Sequence, residues 1–243
     1  MKLVVFSSAP IVKKDSKEFL YVPYEKEMQL WAKYANSIQF CCPIWKEDKR
    51  LLIAPISFEK ELSIKLIEFD ITSFRNILRA IPIVFIDFVR IFKAMKRANH
   101  IHLRCPGNIG LLASIIQILF PKVKKTAKYA GNWDPNSKQP FTYKLQRWIL
   151  SNTFLTRNMQ VLVYGDWENQ TKNIKPFFTA TYSKNEIIIP FTYENRDCIR
   201  NFKNDFAAVK VNEKWGFVNK KGVLVIPTSF EKVNDFNGKA FEL

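Results

Sequence analysis

Ile101-His102-Leu103-Arg104-Cys105-Pro106-Gly107-Asn108 is the stretch on which the reading of this chain turns. His100 to Arg104 reads as a strand, Pro106-Gly107 interrupts it, and the apolar segment Asn108–Phe120 that follows has helix length and is closed by Pro121. Lys125–Ala130 is a strand again. Strand, tight turn, helix and strand in this order make a βαβ unit, whose crossover brings the two strands together in parallel with right-handed connectivity.

Working outward, Lys2–Ser7 reads as a buried strand ended by Ser8-Ala9-Pro10, and Glu25–Ser37 as a helix carrying Met28, Leu30, Trp31, Tyr34 and Ala35 on or near one face. Ile38–Pro43 and Leu51–Ile56 are further strands. A long helix pattern runs from Ser73 to Ala98, with a break or kink expected at Pro82. Phe141–Leu155 is a helix and Gln160–Tyr164 a strand. Alternation of this kind predicts an α/β, Rossmann-like, doubly wound parallel sheet over residues 1–186. Beyond Glu186 the pattern changes to short β runs separated by turn residues, which predicts a small antiparallel β module over residues 187–243.

Charge divides the chain in the same place. The formal net charge is +16, of which residues 1–186 carry +14. That excess favours an anionic partner: a phosphorylated substrate, a membrane surface or nucleic acid. Nucleic acid is the least favoured, because no reading motif and no aromatic-basic strand platform accompanies the charge. The cysteines Cys41, Cys42, Cys105 and Cys198 form no CxxC pair, and His100 and His102 give no zinc spacing, so free thiols and no metal site are expected. Leu3–Phe6 is too short for a signal-peptide core, and the longest uncharged apolar run, Ile109–Phe120, falls short of the roughly 20 residues of a spanning helix. A cytoplasmic protein is expected, peripheral to a membrane where it touches one.

In a parallel sheet the loops following the strands share one edge, and ligands bind there. Three such loops are chemically rich. Arg104 to Asn108 leads into a helix whose free N–H groups suit a phosphate or carboxylate, with the Arg104 guanidinium beside it. Gly131-Asn132-Trp133-Asp134-Pro135 and Gly165-Asp166-Trp167 each offer a glycine for close approach and a tryptophan for stacking. The competing explanation is that Gly, Asn, Asp and Pro are turn formers. Neither GxGxxG nor GxxxxGK[ST] occurs, so no dinucleotide or P-loop cofactor is expected. His100, His102 and Arg104 alternate on one strand face; a histidine there is ordinarily a packing residue, and His102, nearer the loops, is the stronger functional candidate.

The helix from Ser73 to Ala98 sets Arg75, Arg79, Arg90, Lys93, Lys96 and Arg97 on one arc, with Ile77, Ile81, Val84, Phe85, Phe88, Ile91 and Phe92 opposite. Such a helix is suited to an anionic membrane surface; the alternative is a solvated face over a core.

The order of the first βαβ unit, then Ala127-Lys128-Tyr129-Ala130-Gly131-Asn132-Trp133, then Val161 to Trp167 and Pro176 to Ser183, resembles the N-terminal, acceptor-binding domain of GT-B glycosyltransferases, most closely the family-four bacterial enzymes of surface-polysaccharide synthesis. The likeness covers residues 1–186. It implies a glycan or lipid-linked acceptor, bound by Arg104, Asn108, Gly131, Asn132, Trp133 and Asp166, with His102 nearest the catalytic crevice. It also implies a nucleotide-sugar donor, held in that family by a second Rossmann-like domain whose sequence does not appear here. Glu186 and Glu194 have the donor-site spacing of that family, but Ile187-Ile188-Ile189-Pro190 between them is strand and turn, so the spacing reads as coincidence.

The C-terminal part resembles WG repeats. Phe206–Val211, Lys214-Trp215-Gly216-Phe217-Val218 and Lys221–Pro227 give three short strands, with Trp215 and Phe217 as packing anchors. Phe202 to Ala207 echoes Phe236 to Phe241, and Ile188-Ile189-Pro190 echoes Val225-Ile226-Pro227, so one whole unit and parts of two are present. A protein partner is the expected ligand of such a module. Two readings follow: the acceptor half of a retaining glycosyltransferase, inactive by itself, or a non-catalytic binder of a glycan, lipid-linked acceptor or protein.

Overall fold

A computed structural model describes residues 1–134, 137–177, 198–199, 206–211, 213–219 and 224–233. The chain divides into two compact units, Met1–Phe178 and Thr179–Leu243. The expected boundary at Glu186, like the Glu186–Glu194 pair and the repeat echoes at 188–190, 202–205 and 236–241, lies outside the described residues.

The first unit runs β1 (Lys2–Ser7), β2 (Ile11–Lys14), β3 (Lys17–Tyr21), α1 (Val22–Ala32), β4 (Ser37–Cys42), β5 (Ile44–Trp45), β6 (Ile53–Pro55), β7 (Ile64–Lys65), α2 (Phe74–Lys96), β8 (His100–Cys105), α3 (Asn108–Ile116), β9 (Lys124–Tyr129), α4 (Phe141–Ser151), β10 (Met159–Val163) and β11 (Ile174–Pro176). Seven strands form one parallel sheet in the order β11-β10-β9-β8-β1-β4-β7. Counting these strands alone from the N-terminus, the order is 3-2-1-4-5-6-7, which is the doubly wound, Rossmann-like arrangement.

Alternation along the strands explains the two cores. Val4, Phe6, Cys41, Ile101, Leu103, Ala127 and Val161 point to the face where Ile91 and Met95 of α2 and Ile109 and Ala113 of α3 close over them. Leu3, Val5, Ile38, Phe40 and Cys42 point the other way, onto Tyr24 and Met28 of α1. Cys41 and Cys42 therefore belong to different cores, and with Cys105 they are free, buried thiols.

Several expectations are corrected in detail. The first helix begins at Val22, with Pro23 in its first turn, and ends at Ala32, so it is shifted toward the N-terminus. Leu51–Ile56 does not join the parallel sheet. Its central residues form β6 in a separate four-stranded sheet, β5-β2-β3-β6, built around the hairpin of β2 and β3. That hairpin went unread because its two-residue turn, Asp15 (φ 50°) and Ser16 (φ 60°), contains no glycine. Helix α2 continues through Pro82. Pro82 and Leu78 both face solvent, so water can satisfy the carbonyl that the missing N–H leaves free. Ser73 caps the helix by accepting from the Asn76 N–H at 3.3 Å.

The second unit is an antiparallel sheet of β12 (Cys198–Ile199), β13 (Phe206–Val211), β14 (Lys214–Asn219) and β15 (Leu224–Phe230) in that order. Ala207, Val209 and Val218 cluster on one face and Ala208, Phe217 and Val233 on the other, with Trp215 packed against the second group. Gly216 stands where a side chain has no room. A Cβ there would lie 2.5 Å from the Ile226 carbonyl oxygen and 2.8 Å from the Pro227 carbonyl carbon. The glycine after Trp215 thus lets β15 close on β14 at the irregularity between Trp215 and Phe217.

Candidate functional site

From β1 the sheet grows toward β4 and from β8 it grows the opposite way toward β9, so the gap between the C-terminal ends of β1 and β8 is the point where the winding reverses. Two loops face each other across it. On one side Ser7 turns the chain by accepting from the Ala9 N–H at 2.9 Å. On the other, Pro106, joined to Cys105 by a cis bond, precedes Gly107 at φ 146°, which starts α3. A Cβ at Gly107 would run into the Ser8 hydroxyl, so glycine is what lets the two loops approach.

A cavity of about 220 Å³ opens at this reversal, lined by Ser8, Glu68, Phe69, Gly107, Asn108 and Tyr143 among others. Its polar groups are positioned. Asn108 donates its Nδ2 to the Phe69 carbonyl at 2.7 Å, and Glu68 Oε2 accepts from Trp45 Nε1 at 2.8 Å. A carboxylate, an amide, a hydroxyl and a phenol around one small concavity suit a ligand rich in hydroxyl groups. Of its polar lining only Asn108 was legible in the sequence. Ser8 and Glu68 come from two separate connections and Tyr143 from the first turn of α4, and only the fold brings them together.

His102 and Arg104 face inward instead. His102 is fully buried; its ring lies 5.2 Å from that of Trp31, and its Nε2 is 3.6 Å from Glu27 Oε1, beyond hydrogen-bond length. Arg104 Nη1 donates to Glu27 Oε2 at 2.7 Å, with its guanidinium 4.1 Å from the Tyr24 ring centre. Lys128, next to Arg104 in register on β9, donates to the same oxygen at 2.8 Å. Burial pushes the Glu27 carboxyl up, but His102, Arg104 and Lys128 together outweigh it and hold the group at about 2. Glu27 was not singled out in the sequence; on α1 it reads as one more exposed helix acid.

The other two loops differ from expectation in their tryptophans. Trp133 is 1 % exposed, edge-on to Tyr129 at 4.9 Å, with Nε1 donating to Gln170 at 2.9 Å. Trp167 donates to the Tyr164 carbonyl at 2.8 Å and packs partly buried on the core beside Gly165. The Trp133 ring fills interior space and offers no free stacking face. Asn132 and Asp166 are exposed, and Gly131 is half-buried against Pro106 and Tyr129.

A larger cavity, about 530 Å³, lies at the opposite end of the strands. Trp31 and His100 wall it, and Lys124, Lys172 and Lys175 rim it without a carboxylate in its lining. Burial, with His102 and Lys124 nearby, pushes His100 down to about 4. Size favours this cavity, whereas position and donor set favour the smaller one, because doubly wound sheets bind ligands beyond the C-terminal ends of their strands. We therefore take the reversal point as the candidate site. Among the described residues no group of His, Cys, Asp and Glu is arranged to hold a metal ion.

Comparison with known proteins bears on the C-terminal unit. Residues 183–215 and 215–241 match the family model of the WG containing repeat. The C-terminal segment is a WG-repeat module. The two matches follow one another along the segment. No curated protein matches the chain. Among solved structures, the crystal structure of UDP-N-acetylglucosamine 2-epimerase is similar over 61% of this chain and 38% of that one, at 12% identity and a TM-score of 0.36. This chain thus spans well under half the length of that protein, and a likeness at that level says nothing about what it binds.

Proposed function

We propose that residues 1–178 form the acceptor-binding half of a retaining, nucleotide-sugar-dependent glycosyltransferase of bacterial surface-polysaccharide synthesis. It would work in the cytoplasm, at the inner face of the membrane, on a glycan or lipid-linked acceptor. The observation that carries this reading is the cavity at the winding reversal, with Ser8, Glu68, Asn108 and Tyr143 converging on it. The order of motifs from Ile101 to Ser183, similar to that of family-four enzymes, supports it from the sequence. In this reading Asn108 and the exposed Asn132 and Asp166 contact the acceptor, while Arg104, bonded to Glu27, and the buried His102 support the sheet from which those loops leave.

After residue 178 the chain continues into WG repeats, which we assign to contact with a protein partner that supplies the donor site. A second reading is a non-catalytic acceptor binder that uses the repeats for protein contact alone. Transfer of radiolabelled sugar from nucleotide donors by the purified full chain tests both. The first reading expects saturable binding of oligosaccharide acceptors, no turnover alone, and turnover when a donor-domain protein is added. Saturable binding with no donor partner recovered would establish the binder. No saccharide binding at all would end both readings.

A further inference from the structure

Helix α2 carries a feature that the saccharide site leaves unused. Its inward side, with Ala80, Asp87, Ile91, Ala94 and Met95, is buried, and Asp87 ties it to the preceding loop by accepting from the Ile67 N–H at 2.8 Å. The expected division into an apolar face on the core and a basic face in solvent is only half right, because the apolar face is wider than the core that it covers. Phe74, Ile77, Leu78, Ile81, Phe85 and Phe88 are exposed, Phe74 by 76 % and Phe85 by 70 %. At about 100° per residue these six fall within a roughly 100° arc, so they form one stripe along four turns. Monomeric soluble proteins seldom leave large apolar side chains contiguous in this way.

We infer that α2 is an interfacial helix that lays this stripe into the headgroup–acyl boundary of an anionic bilayer. Charge selects lipid over a protein surface as the occupant. Arg75, Arg79, Lys93 and Arg97 occupy the adjoining arc and Lys96 the end of the stripe, all exposed. Asp87, the helix's one acid, is buried, so the solvent-facing side of α2 carries cations alone. A protein partner closing on the stripe would strip water from those cations, whereas headgroup phosphates meet them while the apolar side chains enter the acyl layer. Beside the stripe, a groove of about 380 Å³ lined by Ile71, Ile77, Ile81, Val84 and Phe85 among others gives acyl chains a place to enter. Among the described residues no helix is long and apolar enough to cross a membrane, so this contact is lateral. The inference stands on α2 and does not rest on the saccharide reading.

Co-flotation of the full chain with vesicles tests it, using pure phosphatidylcholine and a mixture with about one third phosphatidylglycerol. Partition into the anionic vesicles at least tenfold above the neutral ones is expected, weakening as salt rises. Ile81→Asp with Phe85→Asp should reduce that partition at least tenfold, with an unchanged circular dichroism spectrum, since both side chains are exposed. A Phe85→Trp variant should be quenched by brominated acyl chains, which reports depth as well as contact. Equal, negligible partition into both vesicles would overturn the inference. So would concentration-dependent self-association abolished by the Asp variants, which would make the stripe a contact between copies. Oligosaccharide titration without vesicles reads the other site separately, so failure at α2 would remove the placement at the inner face of the membrane and leave saccharide binding standing.

Discussion

Glu27 on α1 and Arg104 on β8, 77 positions apart in sequence, meet at 2.7 Å across the sheet face. The contact ties the helix that covers β1 and β4 to the strand beyond the winding reversal. Lys128 joins it from β9, so one carboxylate fastens α1 to two strands. Breaking a buried ionic group by removing one partner is costly, because the remaining charges keep their desolvation without compensation.

Glu27→Gln should therefore lower unfolding stability by about 3–5 kcal/mol, the range for a broken buried pair. Urea denaturation followed by far-UV circular dichroism measures it. The native carboxyl sits at about 2 against an ordinary value of 4.5, so its contribution is complete above pH 4.5 and is lost as pH falls toward 2. In the Gln variant that part of the acid transition should be missing. A loss under about 1 kcal/mol would place Glu27 among ordinary surface acids.

His100 acts at higher pH. Burial holds its native value near 4 against 6.5, so between those limits the unfolded chain binds the extra proton. Its contribution is complete above pH 6.5 and falls away as pH drops to 4, with the Glu27 window following below. The melting temperature should decline from pH 7 to pH 5 in the native chain and decline less in His100→Gln. Parallel curves for the two would show that another group carries the slope.

Legibility followed the type of signal. The βαβ order, the doubly wound parallel sheet and the β character of the C-terminal unit were open to reading, since period and turn residues are local. The hairpin at Asp15-Ser16 was not, because positive φ without glycine leaves no mark in composition. Gly107 and Asn108 were found at the candidate site because a turn opens a helix there, and the Gly107–Ser8 approach shows why that turn needs glycine. Glu68 and Tyr143 were missed because they meet only through topology. Trp133 was misjudged as a stacking surface for a related reason: whether a loop tryptophan faces ligand or core depends on Tyr129 and Gln170, which sequence does not place beside it.

Gly216→Ala tests the physical meaning of the Trp-Gly pair. The added methyl would meet backbone atoms of Ile226 and Pro227, which cannot swing aside as a side-chain end can. Overpacking of this kind costs about 1–3 kcal/mol. Hydrogen exchange on the full chain should show lost protection across residues 206–230 and unchanged protection in β8 and β9. Unaltered protection in both units would mean that β15 shifts freely.

Trp133 and Asn108 separate packing from binding. Trp133→Ala opens a large cavity in a fully buried place and should cost about 3–5 kcal/mol, whereas Trp133→Phe keeps most of the volume and should cost less. Neither ring face is available to a ligand, so Trp133→Phe should leave the affinity for an oligosaccharide acceptor within about twofold. Asn108→Ala removes an amide from the cavity lining, and the loss of one hydrogen bond, about 1.4 kcal/mol, corresponds to about tenfold weaker binding. Thermal melts and calorimetric titration of the same three variants give both quantities. If Trp133→Phe weakens binding while Asn108→Ala does not, the acceptor lies along the Gly131–Trp133 loop and the cavity at the winding reversal is not its site.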